Sequence, residues 1–126
     1  MPLVRVDLPH GKSADYKQAV GDVIYAAMRA TMTVPEGDRF QIFAEHAPED
    51  LFIDPNYLGI SRSHEALLIQ ITLNEGRTTD MKRAFYKAIA DELHAKLGLR
   101  REDVFINLVE VKKENWSFGN GEAPYA

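Results

Sequence analysis

Apolar and polar side chains alternate from the start of the chain. Val4, Val6 and Leu8 fall on one face of an extended segment, with Arg5 and Asp7 on the other, which is the period-two pattern of a half-buried strand. Comparable segments follow at three later places, and the one beginning near residue 66 is almost wholly apolar. The pattern predicts four strands, over residues 3–8, 39–45, 66–73 and 104–111.

Two other segments carry apolar side chains at helical spacing. The first follows Ser13, a suitable N-cap, and predicts a helix to about Ala30. The second runs from Met81 to Leu97, with Gly98 as its C-cap. Prolines and a glycine interrupt the stretch 46–64, which is therefore expected to be irregular, with a short strand pairing at 51–53.

The order strand, helix, strand occurs twice, and the two copies match in sequence. A shift of 65 residues superposes 2–45 on 67–110 and gives many more identities than the roughly three expected by chance. We therefore predict one α+β domain over residues 1–126, built from a doubled β-α-β unit. Right-handed crossovers place both helices on one face of a four-stranded mixed sheet. The identical pairs are Leu3/Leu68, Leu8/Leu73, Gly11/Gly76, Asp15/Asp80, Lys17/Lys82, Ala19/Ala84, Ile24/Ile89, Ala30/Ala95, Asp38/Asp103, Phe40/Phe105 and Glu45/Glu110.

Two further parts of the chain need a partner surface. The face of the sheet away from the helices is predicted to carry Leu68 and alternate side chains of the apolar third strand, too much hydrophobic surface to leave in water. Subunits are expected to pack there. The tail, residues 112–126, keeps Trp116, Phe118 and Tyr125 among glycines. It is more aromatic than a disordered tail, so we expect it to dock on the domain.

Composition argues against several classes of function. The chain has 15 basic and 19 acidic residues, a net charge of -4 and no basic stripe, so nucleic acid is not an expected partner. It has no cysteine, and no apolar run approaches the roughly 18 to 20 residues that span a bilayer. The four histidines lack metal-ligand spacing. We expect a cytoplasmic protein with no membrane partner, metal or cofactor.

Five segments, taken in chain order, resemble one known family. A doubled β-α-β unit that begins with proline at residue 2 is the plan of the tautomerase superfamily, and these segments are most similar to its malonate semialdehyde decarboxylase branch. The resemblance implies a homotrimer, a catalytic amino-terminal proline exposed by removal of Met1, and an arginine that binds a substrate carboxylate. The segments are Met-Pro-Leu at 1–3, Val-Pro-Glu-Gly-Asp-Arg-Phe-Gln at 34–41, Leu-Gly-Ile-Ser-Arg at 58–62, Ala-Phe-Tyr at 84–86 and Asn-Trp-Ser-Phe-Gly-Asn-Gly at 115–121.

The resemblance makes Pro2 the candidate catalytic residue. A free α-amino group has a pKa of about 7.7 to 8.0, and a low-dielectric pocket disfavours its cation further, so it can act as a base near neutral pH. With Met1 attached, the Pro2 nitrogen is instead a tertiary amide without basic character. Apart from the family, a proline that opens a strand also has a purely structural explanation, since it costs no ladder hydrogen bond.

Arginines are the candidate carboxylate ligands. Arg77 stands directly before the second helix, where backbone N–H groups and the helix dipole favour an anion, and it matches an active-site arginine of the decarboxylase branch. Two residues before that arginine the branch has a second one, whereas this chain reads Asn74-Glu75. A paired-arginine decarboxylation site is therefore not reproduced, and Asn74 becomes a candidate substrate ligand. Arg5 is a further candidate, with an intersubunit ion pair as its alternative role.

Three other residues complete the candidate site. Asp38 matches the family's acidic residue, which orients a water or tunes the Pro2 amine. Its repeat mate, Asp103, suggests instead that both aspartates shape a turn before a strand. Trp116 and Phe118 are expected to wall the pocket and to exclude water, and a role in clamping the oligomer is compatible with this.

Three functions remain open at this point. The leading hypothesis is a keto-enol tautomerase, in which Pro2 removes a proton next to a carbonyl of a small oxo acid whose carboxylate binds Arg77. In the second, a cationic Pro2 acts as general acid while Asp38 activates water, giving decarboxylation or hydration of a 3-oxo or unsaturated acid. The third is an oligomeric binding protein without catalysis.

Overall fold

The protein is described here from a computed structural model that covers residues 2–126. Met1, and with it the prediction that Met1 is removed, lies outside the described residues. Six elements form, each within two residues of its predicted limits. They are β1 (Leu3–Pro9), α1 (Ala14–Thr31), β2 (Gln41–His46), β3 (Leu67–Asn74), α2 (Thr79–Leu97) and β4 (Val104–Val111).

The strands form one mixed sheet in the order β2-β1-β3-β4. Strands β1 and β2 are parallel and joined through α1, β3 and β4 are parallel and joined through α2, and β1 and β3 are antiparallel. The predicted fold class is therefore confirmed. The strand pairing predicted at 51–53 is wrong. Single 3-10 turns at Pro48–Asp50 and Tyr57–Gly59 occupy this region instead, where Pro48 and Pro55 fix φ and lack the N–H that a ladder needs.

The core lies between the helices and one face of the sheet. Val4, Val6 and Leu8 of β1 are buried there, as their alternation predicts. Phe85 and Leu93, on the apolar stripe of α2, are completely buried against them. Burial of each such side chain contributes roughly 1.5 to 3 kcal/mol. This packing fixes the sheet as a rigid platform whose two ends remain available for binding sites.

Both helices begin in the same way, 65 residues apart. The Ser13 hydroxyl accepts a hydrogen bond from the Tyr16 N–H at 3.0 Å, and the Thr78 hydroxyl accepts one from the Met81 N–H at 3.2 Å. Each cap satisfies one backbone donor that the first helical turn leaves without a partner. The repeat seen in the sequence is therefore a repeat of local contacts as well.

The other face of the sheet is open in the single chain. Ile42, Phe105 and Val109 are 41%, 45% and 39% exposed on it. Arg5 lies among them, paired in register with Ile42 and Gln70. Neither helix in residues 2–126 is long and apolar enough to cross a membrane.

Candidate active site

Four strand ends meet at the end of the sheet that carries Pro2. In the parallel pairing Val4 lies opposite Gln41, and in the antiparallel pairing Leu3 lies opposite Thr72. The start of β1 therefore lies beside the start of β2 and the end of β3. Strand β4 ends beside β3 as well, since Val111 pairs with Asn74. Residues far apart in sequence are thus brought together around Pro2.

A cavity of about 200 Å³ lies at this Pro2 end. Pro2 itself is buried in its wall. The structure thus brings together three of the predicted site residues, Pro2, Trp116 and Phe118. A small, largely apolar cavity of this kind disfavours a cation on a nearby amine. Its lining is Pro2, Leu3, Phe40, Trp116, Ser117 and Phe118.

The aromatic tail closes the cavity and is held there by stacking. The rings of Trp116 and Phe118 stack with centroids 5.7 Å apart, and Tyr125 packs edge-on against Phe118 at 5.4 Å. The Trp116 indole Nε1 donates to Asn74 Oδ1 at 2.7 Å. Asn74 is only 8% exposed, so this hydrogen bond satisfies a buried acceptor. Asn74 was predicted to bind substrate, but its side-chain oxygen accepts the hydrogen bond that holds the tail.

Arg77 lies next to this arrangement and is anchored on main-chain oxygens. Its Nε donates to the Met32 carbonyl at 3.1 Å and its Nη1 to the Asn74 carbonyl at 3.0 Å. Among residues 2–126 no carboxylate lies within ion-pair distance of it. The guanidinium is therefore fixed in position by neutral groups and keeps its positive charge for an anion.

Asp38 is half-buried in the turn that leads into β2. Its N–H donates to the Pro35 carbonyl at 3.3 Å, and it lies two residues before Phe40, whose carbonyl accepts from the Val4 N–H at 2.9 Å. The backbone of Asp38 therefore lies close to the first residues of β1. Its repeat mate Asp103 is buried and accepts hydrogen bonds from both the Ser63 N–H and the Ser63 hydroxyl.

The other predicted site residues, Arg77, Asn74, Asp38 and Arg5, are not part of the lining of the cavity. Arg5 does not line it in the single chain, since it projects from the open face of the sheet. The histidines remain dispersed, and within residues 2–126 no group of three or more His, Asp or Glu side chains could hold a metal ion.

Comparison with known proteins decides the family. A family described as "Tautomerase enzyme" matches residues 38–119, and a second with the same description matches residues 2–60. The probable tautomerase YusQ of Bacillus subtilis (strain 168) is 42% identical over 123 residues, which cover 98% of this chain and 97% of that protein. The chain belongs to the tautomerase family. The probable tautomerase YrdN of the same organism is 31% identical, over 99% of this chain and 96% of its own.

Solved structures resemble this tautomerase-family chain over nearly its whole length. A malonate semialdehyde decarboxylase is 30% identical with a TM-score of 0.90, and covers 98% of this chain and 95% of its own. The FG41 malonate semialdehyde decarboxylase inhibited by 3-bromopropiolate is 35% identical with the same TM-score, over 98% and 93%. A fused 4-OT symmetric trimer, at 24% identity and a TM-score of 0.77 over 95% and 94%, shares the fold.

Sequence reasoning missed three residues of the tautomerase-family cavity. Phe40, which is 48% exposed, forms part of its wall, and so do Leu3 and Ser117. All three lie inside segments that carry the family resemblance, so the signal was present but pointed to no particular side chain. The hydrogen bond between Trp116 and Asn74 had no sequence signal, because its partners are 42 residues apart.

Proposed function

We propose that this protein is a keto-enol tautomerase in which the secondary amine of Pro2, freed by removal of Met1, is the general base. The observation that carries the proposal is the placement of Pro2 in the wall of a small cavity closed by Trp116 and Phe118. Apolar walls disfavour the ammonium form and lower the pKa of the amine toward neutrality, where a base is most effective.

The proposed substrate is a small oxo acid with a carboxylate. No carboxylate of the described residues lies within ion-pair distance of Arg77, although its charge acts on Glu110 from farther away. Its contacts to the Met32 and Asn74 carbonyls hold it in place. The proposal requires that a carboxylate bound to Arg77 direct the carbon next to the carbonyl toward the Pro2 nitrogen. Pro2 takes a proton from that carbon and returns one elsewhere on the enolate, so no atom other than hydrogen moves. Arg77 stabilises the negative charge of the enolate.

Decarboxylation or hydration is the second candidate. It is favoured by the similarity to malonate semialdehyde decarboxylase, whose structures are described as a basis for decarboxylase and hydratase activities. This chemistry uses a cationic Pro2, with Asp38 activating water. The sequence Asn74-Glu75 argues against it, because this chain has these residues where the decarboxylase branch has its second arginine.

The assembly we propose is a homotrimer packed through the open face of the sheet. The exposed Ile42, Phe105 and Val109 give this face more apolar surface than a monomer ordinarily leaves in water. Arg5, in the middle of the same face, would then reach a neighbouring subunit.

The test of Pro2 combines intact-mass spectrometry with a measurement of catalytic activity. Protein from its native host is examined by intact-mass spectrometry, and ketonisation of phenylenolpyruvate and 2-hydroxymuconate is measured for wild type, Pro2→Ala and the control Pro9→Ala. Pro9, at the far end of β1, lies outside the cavity. We expect Met1 to be absent and kcat/KM to fall at least roughly a hundredfold in Pro2→Ala alone.

Either of two results would overturn the proposal: Met1 retained on the native protein, or ketonisation indifferent to Pro2→Ala. The pH dependence of kcat/KM separates the two chemistries. For a base, activity rises as pH increases through the Pro2 pKa, and for a cationic acid it falls. Activity on malonate semialdehyde with the second profile would favour the decarboxylase.

A further inference from the structure

A second cavity, of about 270 Å³, lies at the opposite end of the sheet. It is formed where β3 and β4 begin and is closed by part of the irregular segment that follows β2. Most of its wall is apolar. Its lining is Phe52, Ile53, Asp54, Tyr57, Arg62, Leu68 and Phe105.

The internal repeat relates this second cavity to the Pro2 cavity. Four of its lining residues lie 65 positions from lining residues of the first. Leu68 corresponds to Leu3 and Phe105 to Phe40, and these two pairs are identical residues of the repeat. Phe52 and Ile53 correspond to Ser117 and Phe118, which lie beyond the repeat in the segments that cover each cavity. The repeat therefore supplies the same strand positions at both ends of the sheet, and a further segment covers each.

The two cavities differ at the reactive position. The repeat places Leu67 where the first cavity has Pro2. Leu67 is completely buried and lies within the β3–β4 ladder, paired with Val104. Its nitrogen is an amide within the chain and cannot serve as a base. The second cavity thus has walls for a ligand but no amine for proton transfer.

Arg62 lines the second cavity and gives it a positive charge, whereas Arg77 lies near the first cavity but outside its lining. The Arg62 Nη1 donates to the carbonyls of Asp54, Tyr57 and Ile60 at 3.4, 3.1 and 3.4 Å. Its other two guanidinium nitrogens donate to no atom of residues 2–126. It also lacks a carboxylate partner among the described residues, although four other arginines have one. Those four are Arg39, Arg83, Arg100 and Arg101.

We propose that this cavity is a second, non-catalytic ligand site that binds a small monocarboxylate with an apolar body. The carboxylate pairs with Arg62, and the body packs between Leu68, Phe105 and Ile53. Asp54, the acidic residue in the lining, accepts from the Asn56 N–H at 2.8 Å. Its charge disfavours further negative charge on the ligand, so we expect a monocarboxylate to bind more tightly than a dicarboxylate.

The test counts bound ligand by equilibrium dialysis with radiolabelled phenylacetate. This probe has one carboxylate and an aromatic ring but no ketone for Pro2 to enolise. Trp116, the single tryptophan, lies in the Pro2 cavity, so its fluorescence reports the first site alone. Wild type is expected to bind two molecules per chain, of which one quenches Trp116. In Arg62→Gln the second molecule should bind roughly tenfold to a hundredfold more weakly, with the quenching unchanged.

Arg62→Gln also removes the hydrogen bonds that hold the loop around Tyr57. A second variant therefore tests the site with Arg62 and its loop intact. Phe52 is 88% exposed, so Phe52→Glu costs little stability and adds a repelling carboxylate beside Arg62. It should lose the second molecule, whereas Phe52→Leu should keep it. One molecule per chain in wild type that quenches Trp116 would overturn the proposal. A subunit of the proposed trimer that packs over Phe105 and closes the cavity would give this result. Two molecules in both Arg62→Gln and Phe52→Glu would overturn it too. Failure of Pro2 as a base would alter none of these counts.

Discussion

The two ends of the sheet share a scaffold and differ in what they can do. At one end the cavity includes Pro2, while at the other the corresponding residue is Leu67, inside a strand. Arg62 in the lining of the second cavity and Arg77 near the first are both anchored on backbone carbonyls. The repeat reproduces the strand positions of the walls but not the charge, because the 65-residue shift pairs Arg77 with Lys12.

What the repeat cannot reproduce is a chain terminus. A secondary amine with a useful pKa exists only where proline begins the chain, so one end of the sheet gains a base and the other does not. The contrast teaches that identical strand positions create a cavity but do not by themselves create chemistry.

The largest effect is expected from removing the charge of the first cavity. Arg77→Gln should lower kcat/KM for the oxo acid roughly tenfold to a hundredfold, because a hydrogen bond to a charged group is lost. The loss should appear in KM, because the carboxylate loses its partner, and in kcat, because the enolate loses a stabilising charge. Arg83→Gln, at a surface arginine of α2 whose side chain is 74% exposed, is the matched control and should behave as wild type. Equal kcat/KM in both variants would remove Arg77 from the site.

A smaller effect is expected from the hydrogen bond that holds the tail over the first cavity. Trp116→Phe keeps an aromatic ring but leaves the buried Asn74 Oδ1 without its donor, at a cost of about 1 kcal/mol, or roughly fivefold in KM. Asn74→Leu should cost a similar amount. The double variant should cost less than the sum, because neither partner is then left unsatisfied. Additive effects on KM would show that the two residues act independently.

The ends of the two helices offer a sharper comparison at one repeat-related position. Thr33 and Gly98 lie 65 residues apart, and both have left-handed backbone, with φ of 57° and 66°. A β-branched residue is strained there, whereas glycine is not. Thr33→Gly should therefore raise the free energy of unfolding by about 1 kcal/mol, and Gly98→Thr should lower it by at least as much. Urea denaturation measures both, and a destabilised Thr33→Gly would contradict the strain argument.

The smallest effect is expected at a pair of surface ion pairs that the repeat also relates. Lys82 lies 2.6 Å from Glu110, and Lys17 lies 3.3 Å from Glu45. The hydrogen bond from Lys82 holds the pKa of Glu110 below its ordinary value of 4.5. Because the folded pKa is the lower one, the pair stabilises the fold above the unfolded pKa and stops doing so as pH falls through the folded value.

Glu110→Gln should therefore lower the urea midpoint slightly at about pH 7, and this difference from wild type should shrink as acid pH protonates the folded carboxylate. Glu45→Gln applies the same test to the repeat-related ion pair between Lys17 and Glu45. The Lys12 N–H, followed by Lys17, lowers the Glu45 pKa as well. A shift of the midpoint that persists at the acid pH would show that the substitution acts through something other than charge.

Most of the fold was predictable because it depends on local patterns. Alternation at Val4, Val6 and Leu8 gave the first strand, and Gly98 marked the end of α2, where it takes the left-handed conformation. The strand expected at 51–53 failed because short apolar runs between prolines satisfy the same pattern without forming a ladder.

The candidate site was predictable in part. Resemblance to a known family pointed to Pro2, Trp116 and Phe118, which the fold brings into one cavity. Asn74 was predicted as a substrate ligand, but its oxygen is occupied by the Trp116 indole. Phe40 was not singled out, because a half-exposed aromatic at the start of a strand has no distinctive sequence signal.

The sequence by itself determined the order of elements, the repeat and the family, because each depends on residue type and spacing along the chain. Only the tertiary structure decided which strand ends meet, that Arg62 and Arg77 are anchored on carbonyls, and that two repeat-related cavities exist. These features depend on contacts between residues distant in sequence. Such contacts are fixed by the register of the sheet and the packing of the whole domain, which no local pattern encodes.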